Sequence, residues 1–95
     1  MAIYPETVQA LLADCQAYRE GKLDLDTFKS QVWNASRVIV AVEERDLHRF
    51  LMSSEGELET IQFTTDSDKI FERTLSVVDS LERVLKENLE GGSGA

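Results

Sequence analysis

The sequence predicts a small all-α protein: a helical hairpin or bundle of three to four helices, with a long central helix and a long C-terminal helix. Apolar residues recur at three- and four-residue steps in separate segments of the chain, as they do along one face of an α-helix. The chain has 95 residues, of which 42% are apolar and one is proline, and this composition suits one small folded domain. We expect residues 1–90 to form this domain and residues 91–95, Gly-Gly-Ser-Gly-Ala, to be a flexible linker or a cloning remnant.

The first predicted helix spans residues 5–20. Pro5 occupies a favoured first helical position, because the N–H that proline lacks would have no helical partner there. Gly21 then marks the end of the helix, since glycine adopts the left-handed C-cap conformation without strain. The apolar face of this helix comprises Val8, Leu11, Leu12, Cys15 and Tyr18.

The long central helix is predicted over residues 25–52, with Asp24 as its N-cap. The block Val38–Val42 is ambiguous, because consecutive β-branched residues also suit a buried strand, but no turn signal closes the block. The apolar stripe slips by one residue between Val42 and Leu47, which predicts a bend or a change of packing partner there. The stripe consists of Phe28, Val32, Ala35, Ile39 and Val42, followed by Leu47, Phe50 and Leu51.

Residues 53–64 carry mixed signals. Gly56 costs about 1 kcal/mol relative to alanine in a helix interior, and the alternation of apolar and polar residues through Leu58–Thr64 would allow a short strand. A lone strand has nothing to pair with unless Val38–Val42 is also a strand or a second chain supplies one. We therefore expect a kinked continuation of the central helix or a short separate helix.

The last helix is predicted to have Asp68 in its first turn and an apolar face that runs from Ile70 to Leu89. Thr65, Asp66 and Ser67 are candidate caps ahead of it. Its charged residues lie opposite one broad apolar face, which indicates a helix that packs on the rest of the domain. The apolar face consists of Ile70, Phe71, Thr74, Val77, Val78, Leu81, Val84, Leu85 and Leu89.

The titratable residues predict no metal site. The acidic runs Asp24–Asp26 and Asp66–Asp68 lack the glycine that a calcium-binding EF-hand loop needs at its sixth position, so we interpret both as helix caps. His48 is the only histidine and has Glu44 one turn before it, a pattern that favours a surface ion pair or a polar edge residue. Cys15 lies on the apolar stripe of the first helix, where a buried thiol is unreactive.

The run Glu43–Asp46 is similar to the start of the Glu-Glu-x-x-Glu helix with which the all-α nucleotide pyrophosphatases hold magnesium, but its fifth position is Leu47. We interpret the run as an exposed, ion-paired helical turn. The chain also has no glycine-rich phosphate loop and no set of Ser, His and Asp residues for nucleophilic catalysis. We therefore expect no enzymatic activity and no cofactor, with a metal-dependent all-α nucleotide hydrolase as the enzymatic alternative.

Charge is the main functional signal. Acidic residues outnumber basic ones by 18 to 10, and the formal net charge is −8. This balance disfavours direct binding to nucleic acid, which needs a cluster of Lys and Arg side chains. Residues 53–68 hold five carboxylates and no basic residue, so this stretch is either a solvated connection or a recognition surface for a basic protein. Its carboxylates are those of Glu55, Glu57, Glu59, Asp66 and Asp68.

Four further residues are candidates for partner binding. Glu43, Glu44 and Asp46 would extend the acidic surface if the chain folds back on itself. Trp33 lies outside the main stripe of the central helix, so it either buries against a neighbouring helix or serves as an exposed interface anchor.

The sequence also bears on the compartment. No apolar run approaches the ~18 residues of a membrane span, and no charged and then apolar leader follows Met1. A single cysteine cannot form an internal disulfide, which fits a reducing compartment. We expect a cytoplasmic protein that makes no contact with membranes.

The opening of the chain resembles the colicin D-type bacteriocin immunity family. The resemblance rests on Leu11-Leu12, on the segment Tyr18-Arg19-Glu20-Gly21-Lys22-Leu23-Asp24 and on Phe28, and it covers this helix–turn–helix opening. It implies a helical protein that plugs a basic, RNA-handling active site with carboxylates. Together with the charge, it predicts an acidic protein-binding module of the inhibitor or immunity type. The alternatives are a homodimeric structural or adaptor protein and a phage-encoded inhibitor of a bacterial defence protein.

Overall fold

The structure, a computed structural model, describes residues 3–90 and places four α-helices in them. These are α1 (Pro5–Arg19), α2 (Leu25–Val38), α3 (Arg45–Thr64) and α4 (Ile70–Leu89). A single 3-10 turn, Val42–Glu44, precedes α3, and the described residues contain no strand. The predicted all-α bundle is confirmed. The linker predicted at residues 91–95 lies outside the described residues.

The helices form an up-and-down bundle in which each helix packs on two others. The packed pairs are α1 with α2, α2 with α3, α3 with α4, and α4 with α1, while the Cα atoms of diagonal pairs stay more than 8 Å apart within residues 3–90. The connections between consecutive helices are short, which makes neighbouring helices antiparallel. The bundle measures 40 × 22 × 20 Å.

The α1–α2 connection follows the local rules that the sequence predicts. Gly21 has φ +77°, and its N–H donates to the Tyr18 carbonyl while the N–H of Lys22 donates to that of Ala17, an arrangement known as a Schellman motif. Asp24 then caps α2, because its Oδ1 accepts from the N–H of Thr27 at 2.7 Å. This hydrogen bond holds the pKa of Asp24 below its usual value.

The prediction of a single helix over residues 25–52 is wrong. The chain leaves the helix after Val38, runs through residues 39–41 without helical structure, and resumes as α3 at Arg45. Ile39 is fully buried while Val38 and Val40 on either side of it are exposed, which is the two-residue alternation of an extended segment. The α-helix is therefore interrupted at residues 39–44, whereas the sequence predicts a bend between Val42 and Leu47, so the two regions overlap only in part.

Tertiary contacts hold this second connection in place. The hydroxyl of Tyr4, just before α1, accepts a hydrogen bond from the N–H of Ala41 at 3.1 Å. Nδ1 of His48 lies 2.7 Å from the carbonyl oxygen of Ser36 and 3.1 Å from that of Ile39. Both neighbours are acceptors, so this nitrogen carries the imidazole proton and caps the end of α2. Of the two roles expected for His48, the surface ion pair is wrong, because no ion pair of residues 3–90 includes it; its half-buried position is compatible with the other, a polar edge residue.

Residues 53–64 continue α3 as one helix, so neither a strand nor a separate helix forms there. Leu51, Ser54 and Leu58 are buried on one face, and this packing outweighs the low helix propensity of Gly56. Lys69 occupies the N-cap position of α4 and no side chain caps that helix, so the caps expected from Thr65, Asp66 and Ser67 do not form.

The core lies along the centre of the bundle and draws on all four helices. The rings of Tyr18 and Phe28 stack with their centroids 4.9 Å apart, which joins α1 to α2. The hydroxyl of Tyr18 is hydrogen-bonded to Oγ1 of Thr74 on α4 at 2.6 Å, so the polar end of this buried ring is satisfied.

Candidate functional site

The nine residues predicted to bind a partner lie in separate parts of the bundle. Asp66 and Asp68 are exposed in the α3–α4 loop, whereas Glu43 and Asp46 lie at the opposite end of α3. Twenty helical residues separate the two ends by about 30 Å, at a rise of about 1.5 Å per residue. The chain therefore does not fold back to join the two acidic groups.

The carboxylates within α3 are divided between two sides of the helix. Glu55 and Glu59 are four residues apart and lie on the side next to α2, while Glu57 is rotated by about 200° from each of them. The acidic stretch that is continuous in sequence is thus not one surface in the structure.

Trp33 and Glu55, which are 22 positions apart in sequence, do come together. Both line a pocket on the α2–α3 face with Lys29, Ser30 and Asn34. Trp33 is 43% exposed, so the expectation of burial against a neighbouring helix is wrong, and its role as an interface anchor stays a prediction.

The remaining three predicted residues share a pocket between the start of α3 and the end of α4. We call it the acidic pocket, and its volume is about 280 Å³. It is open to solvent and combines four carboxylate side chains with an apolar floor. Its lining residues are Glu43, Glu44, Asp46, Leu47, Phe50, Val84, Glu87 and Asn88.

One carboxylate of the acidic pocket is fixed by the fold. Glu44 is only 9% exposed, and its Oε2 accepts a hydrogen bond from Nδ2 of Asn88 at 2.8 Å. One of the two N–H groups of the Asn88 amide is thereby used, and its Oδ1 is buried with no hydrogen-bond partner among residues 3–90. Most of the polar groups left free in the pocket are therefore hydrogen-bond acceptors, namely carboxylate oxygens and this amide oxygen.

Local structure explains how these carboxylates converge. The 3-10 turn carries Glu43 and Glu44, and the first turn of α3 adds Asp46. A carboxylate at the start of a helix is favourable because the helix dipole is positive there, whereas Glu87 lies near the end of α4, where a negative charge is unfavourable. The packing of α3 against α4 adds Glu87 to the cluster despite that cost.

No ion pair neutralises the acidic pocket. The ion pairs in the described part of the chain join Arg19 to Asp79 and Glu82, and Lys22 to Glu20. The ion-paired turn expected at Glu43–Asp46 is therefore wrong, and one of its members, Glu44, is buried instead of exposed. The four carboxylates of the pocket therefore have no ion-pair partner among the described residues.

Cys15 packs in the core as predicted. Burial, reinforced by the nearby negative charges of Glu82 and Asp14, raises the pKa of its thiol to about 12. Burial also raises the pKa of Asp14, although a hydrogen bond from Gln31 opposes that shift. A thiol with such a pKa is protonated at neutral pH and does not act as a nucleophile.

Sequence reasoning missed the α4 half of the acidic pocket. In the sequence, Glu87 is one of the charged residues opposite the apolar face of the last helix, and no motif includes Asn88. No short-range pattern could have identified them, because Glu44 and Asn88 are 44 positions apart and meet only through helix packing.

Comparison of the chain with protein-family models gives no match, and comparisons with curated proteins and with solved structures give none either. Within residues 3–90, no group of three or more His, Cys, Asp and Glu side chains is arranged to hold a metal ion. The described helices also include none that is both long and apolar enough to cross a membrane.

Proposed function

We propose that the protein is a non-enzymatic binding module that engages the basic surface of a protein partner through the acidic pocket. The observation that carries this proposal is the pocket's lining: four carboxylates without ion-pair partners, and a buried amide oxygen that no donor reaches. A lining in which acceptor oxygens predominate is complementary to a group that only donates hydrogen bonds. Arginine and lysine side chains are such groups.

The size of the pocket favours a side chain as its occupant. Its volume of about 280 Å³ lies at the lower limit of small-molecule sites, which span about 300–1,000 Å³. The apolar floor of Leu47, Phe50 and Val84 suits the methylene stem of a long basic side chain.

An exposed apolar rim next to the pocket supports the same function. Val40 and Val42, immediately before Glu43, are 65% and 75% exposed. Exposed apolar groups beside charged ones are typical of surfaces that bind proteins. The valines would add contact area around a basic anchor that the carboxylates steer into place.

A nuclease or another nucleic-acid-handling protein is the class of partner we favour, because its active surface must carry basic residues that bind phosphates. Carboxylates that bind those basic residues would inhibit the partner. The resemblance of residues 11–28 to the colicin D-type immunity family favours the same class. A phage-encoded inhibitor of a bacterial defence protein would use the same chemistry.

The proposal can be tested with a peptide of five arginines as the probe. Titration of the ¹⁵N-labelled protein should shift the amide signals of residues 43–47 and 84–88 before all others. The double variant Asp46→Lys/Glu87→Lys should weaken binding at least tenfold, because it replaces two of the four carboxylates with repelling charges.

The matched control is Glu72→Lys/Glu90→Lys, which makes the same change of charge at two exposed positions outside the pocket, one in α4 and one at its C-cap. It should retain most of the affinity. Equal losses in both variants, or shifts spread evenly over all acidic positions, would mean that net charge alone attracts the peptide and would overturn the assignment to this pocket.

A further inference from the structure

The segment between α2 and α3 exposes apolar side chains on an extended backbone. Val40 and Val42 are 65% and 75% exposed, while Ile39 is fully buried. Residues 39–41 have no helical structure, and Ala41 has the extended dihedral angles φ −64° and ψ 144°. Because alternate side chains of an extended segment point to the same face, Val40 and Val42 form one apolar face towards solvent.

The backbone between Val40 and Val42, which we call the valine edge, has one free acceptor and one free donor. The N–H of Ala41 donates to the hydroxyl of Tyr4, and the carbonyl of Ala41 accepts from the N–H of Glu44. The described peptide bonds are all trans, and a trans peptide directs each carbonyl opposite to the N–H of the next residue. The carbonyl of Val40 and the N–H of Val42 therefore point away from the groups that hold Ala41. Neither has a hydrogen-bond partner in the described part of the chain.

This pair of backbone groups is the kind that an added β-strand uses. In a β-ladder, the carbonyl of one residue and the N–H of the residue two positions later bind the neighbouring strand. Exposed β-branched side chains then pack against the side chains of the added strand as cross-strand pairs. Main-chain hydrogen bonds supply affinity in this mode of recognition, and the side chains supply selectivity.

The neighbouring acidic pocket determines which extended segment fits the valine edge. Glu43 lines the pocket and directly follows Val42 in the chain, whereas the nearby arginines Arg37 and Arg45 do not line it. The Cα atoms of Val40 and Glu43 are at most about 11 Å apart, because one residue spans no more than about 3.6 Å. About three residues of an extended segment cover that distance. A segment with an apolar residue and a basic residue about three positions apart can therefore occupy both places.

We propose that the valine edge and the acidic pocket together bind an extended segment of the partner, in which β-branched residues lie within about three positions of an arginine or lysine. This proposal rests on the function proposed above, because the carboxylates of the pocket select a basic segment. One N–H of the segment donates to the carbonyl of Val40, and one of its carbonyls accepts from the N–H of Val42. The basic side chain enters the acidic pocket, where it donates to the acceptor oxygens.

Two peptides of equal charge and length test the proposal. Arg-Thr-Val-Thr-Val-Thr-Arg is palindromic, so it presents the same side chains to the edge in a parallel or an antiparallel pairing. Arg-Thr-Ser-Thr-Ser-Thr-Arg lacks the apolar side chains. In NMR titrations the valine peptide should bind at least tenfold more tightly than the serine peptide. Hydrogen exchange of the Val42 amide should slow at least tenfold in the saturated complex, because its N–H gains a partner.

Matched variants locate the contribution of the valine side chains. Val40→Ser/Val42→Ser should bind the two peptides with equal affinity, because it removes the apolar face and leaves the pocket intact. Met52→Ser/Phe63→Ser removes two other exposed apolar side chains, both in α3, and should keep the tenfold preference. Circular dichroism establishes that both variants are folded.

Methylated peptides test the backbone pairing. Alternate N–H groups of a strand point to opposite edges, so either the valine or the threonine N–H groups of the bound peptide face the protein. Methylation of both valine nitrogens in one peptide and of all three threonine nitrogens in another should weaken binding at least tenfold in one of them. Undiminished binding of both methylated peptides would overturn the pairing.

Failure of this proposal can be distinguished from failure of the function on which it rests. Equal binding of the valine and serine peptides, with shifts confined to residues 43–47 and 84–88, would overturn the role of the valine edge and support the basic partner. Absence of binding by both peptides would overturn both proposals. A Val42 amide that is protected without peptide, increasingly so at higher protein concentration, would assign the edge to a second copy of the chain and overturn the present proposal.

Discussion

The α1–α2 connection (residues 20–24) and the α2–α3 connection (residues 39–44) are of similar length, yet different kinds of interaction hold them. In the first, Gly21 ends one helix and Asp24 begins the next, and every stabilising hydrogen bond spans five residues or fewer. In the second, the carbonyl of Ile39 is hydrogen-bonded to Nδ1 of His48, and the N–H of Ala41 donates to the hydroxyl of Tyr4. Ala41 and Tyr4 are 37 positions apart.

The difference shows how a helix can end without a stop signal. The block Val38–Val42 contains no glycine, proline or capping residue, and so it reads as a continuous helix. The non-helical segment buries Ile39 and lets its carbonyl and the N–H of Ala41 form hydrogen bonds with His48 and Tyr4. The helix ends because these interactions lower the free energy more than another helical turn would. The same break turns α3 back against α2 and places Glu43 and Glu44 at the acidic pocket.

The largest expected effect comes from the core residue of the second connection. Ile39→Ala should lower the free energy of unfolding by about 2–5 kcal/mol, because it leaves a cavity in place of a fully buried side chain. Urea denaturation measures this loss. Val40→Ala, one residue away at an exposed position, should change the stability by no more than about 0.5 kcal/mol. Similar losses of stability in both variants would contradict the alternation of buried and exposed residues along this segment.

The next effect concerns the imidazole that caps α2. His48→Ala should cost about 1–3 kcal/mol in urea denaturation, because two partly buried carbonyl groups lose their donor. His48→Asn should recover part of this stability, since its side-chain amide also offers an N–H donor. If asparagine is no better than alanine, the hydrogen bonds are not what the histidine contributes.

A smaller loss is expected at the locally encoded connection. Gly21→Ala forces a side chain into the left-handed backbone region at φ +77° and should cost about 1 kcal/mol. Thermal unfolding followed by circular dichroism measures the change.

Gly56→Ala is the matched control for that prediction. Gly56 lies inside α3, and an added Cβ would meet no atom within 4 Å. The same substitution should therefore stabilise the protein by about 0.5–1 kcal/mol. Effects of the same sign at both glycines would show that backbone conformation does not decide the outcome.

The smallest effect is the pH dependence of the Asp24 cap. The hydrogen bond from Thr27 lowers the pKa of Asp24 in the folded state, so its contribution to stability is present above its unfolded pKa of about 3.9 and is lost as the pH falls through the folded value. The stability difference between the wild-type chain and Asp24→Asn should shrink over that range in acid-titrated thermal unfolding. A difference that is constant down to pH 2 would contradict the role of the charged carboxylate.

Much of the fold could be predicted because helix signals are local. The end of α1 at Gly21 and the start of α2 at Asp24 follow from residues within one turn of each other. The apolar face from Val8 to Tyr18 is buried as its spacing predicts. The acidic pocket could be predicted only in part, because Glu43, Glu44 and Asp46 share a short segment but Glu87 and Asn88 belong to α4.

The helical class, both ends of the first connection and the excess of carboxylates follow from the sequence, because propensity, capping and charge are properties of single residues and their near neighbours. The end of α2, the side of α3 on which each carboxylate lies, and the set of acidic residues that share a pocket follow from helix packing. Those outcomes depend on burial and on hydrogen bonds between distant positions, such as Glu44 with Asn88 and Ala41 with Tyr4. Such contacts exist only once the four helices have packed.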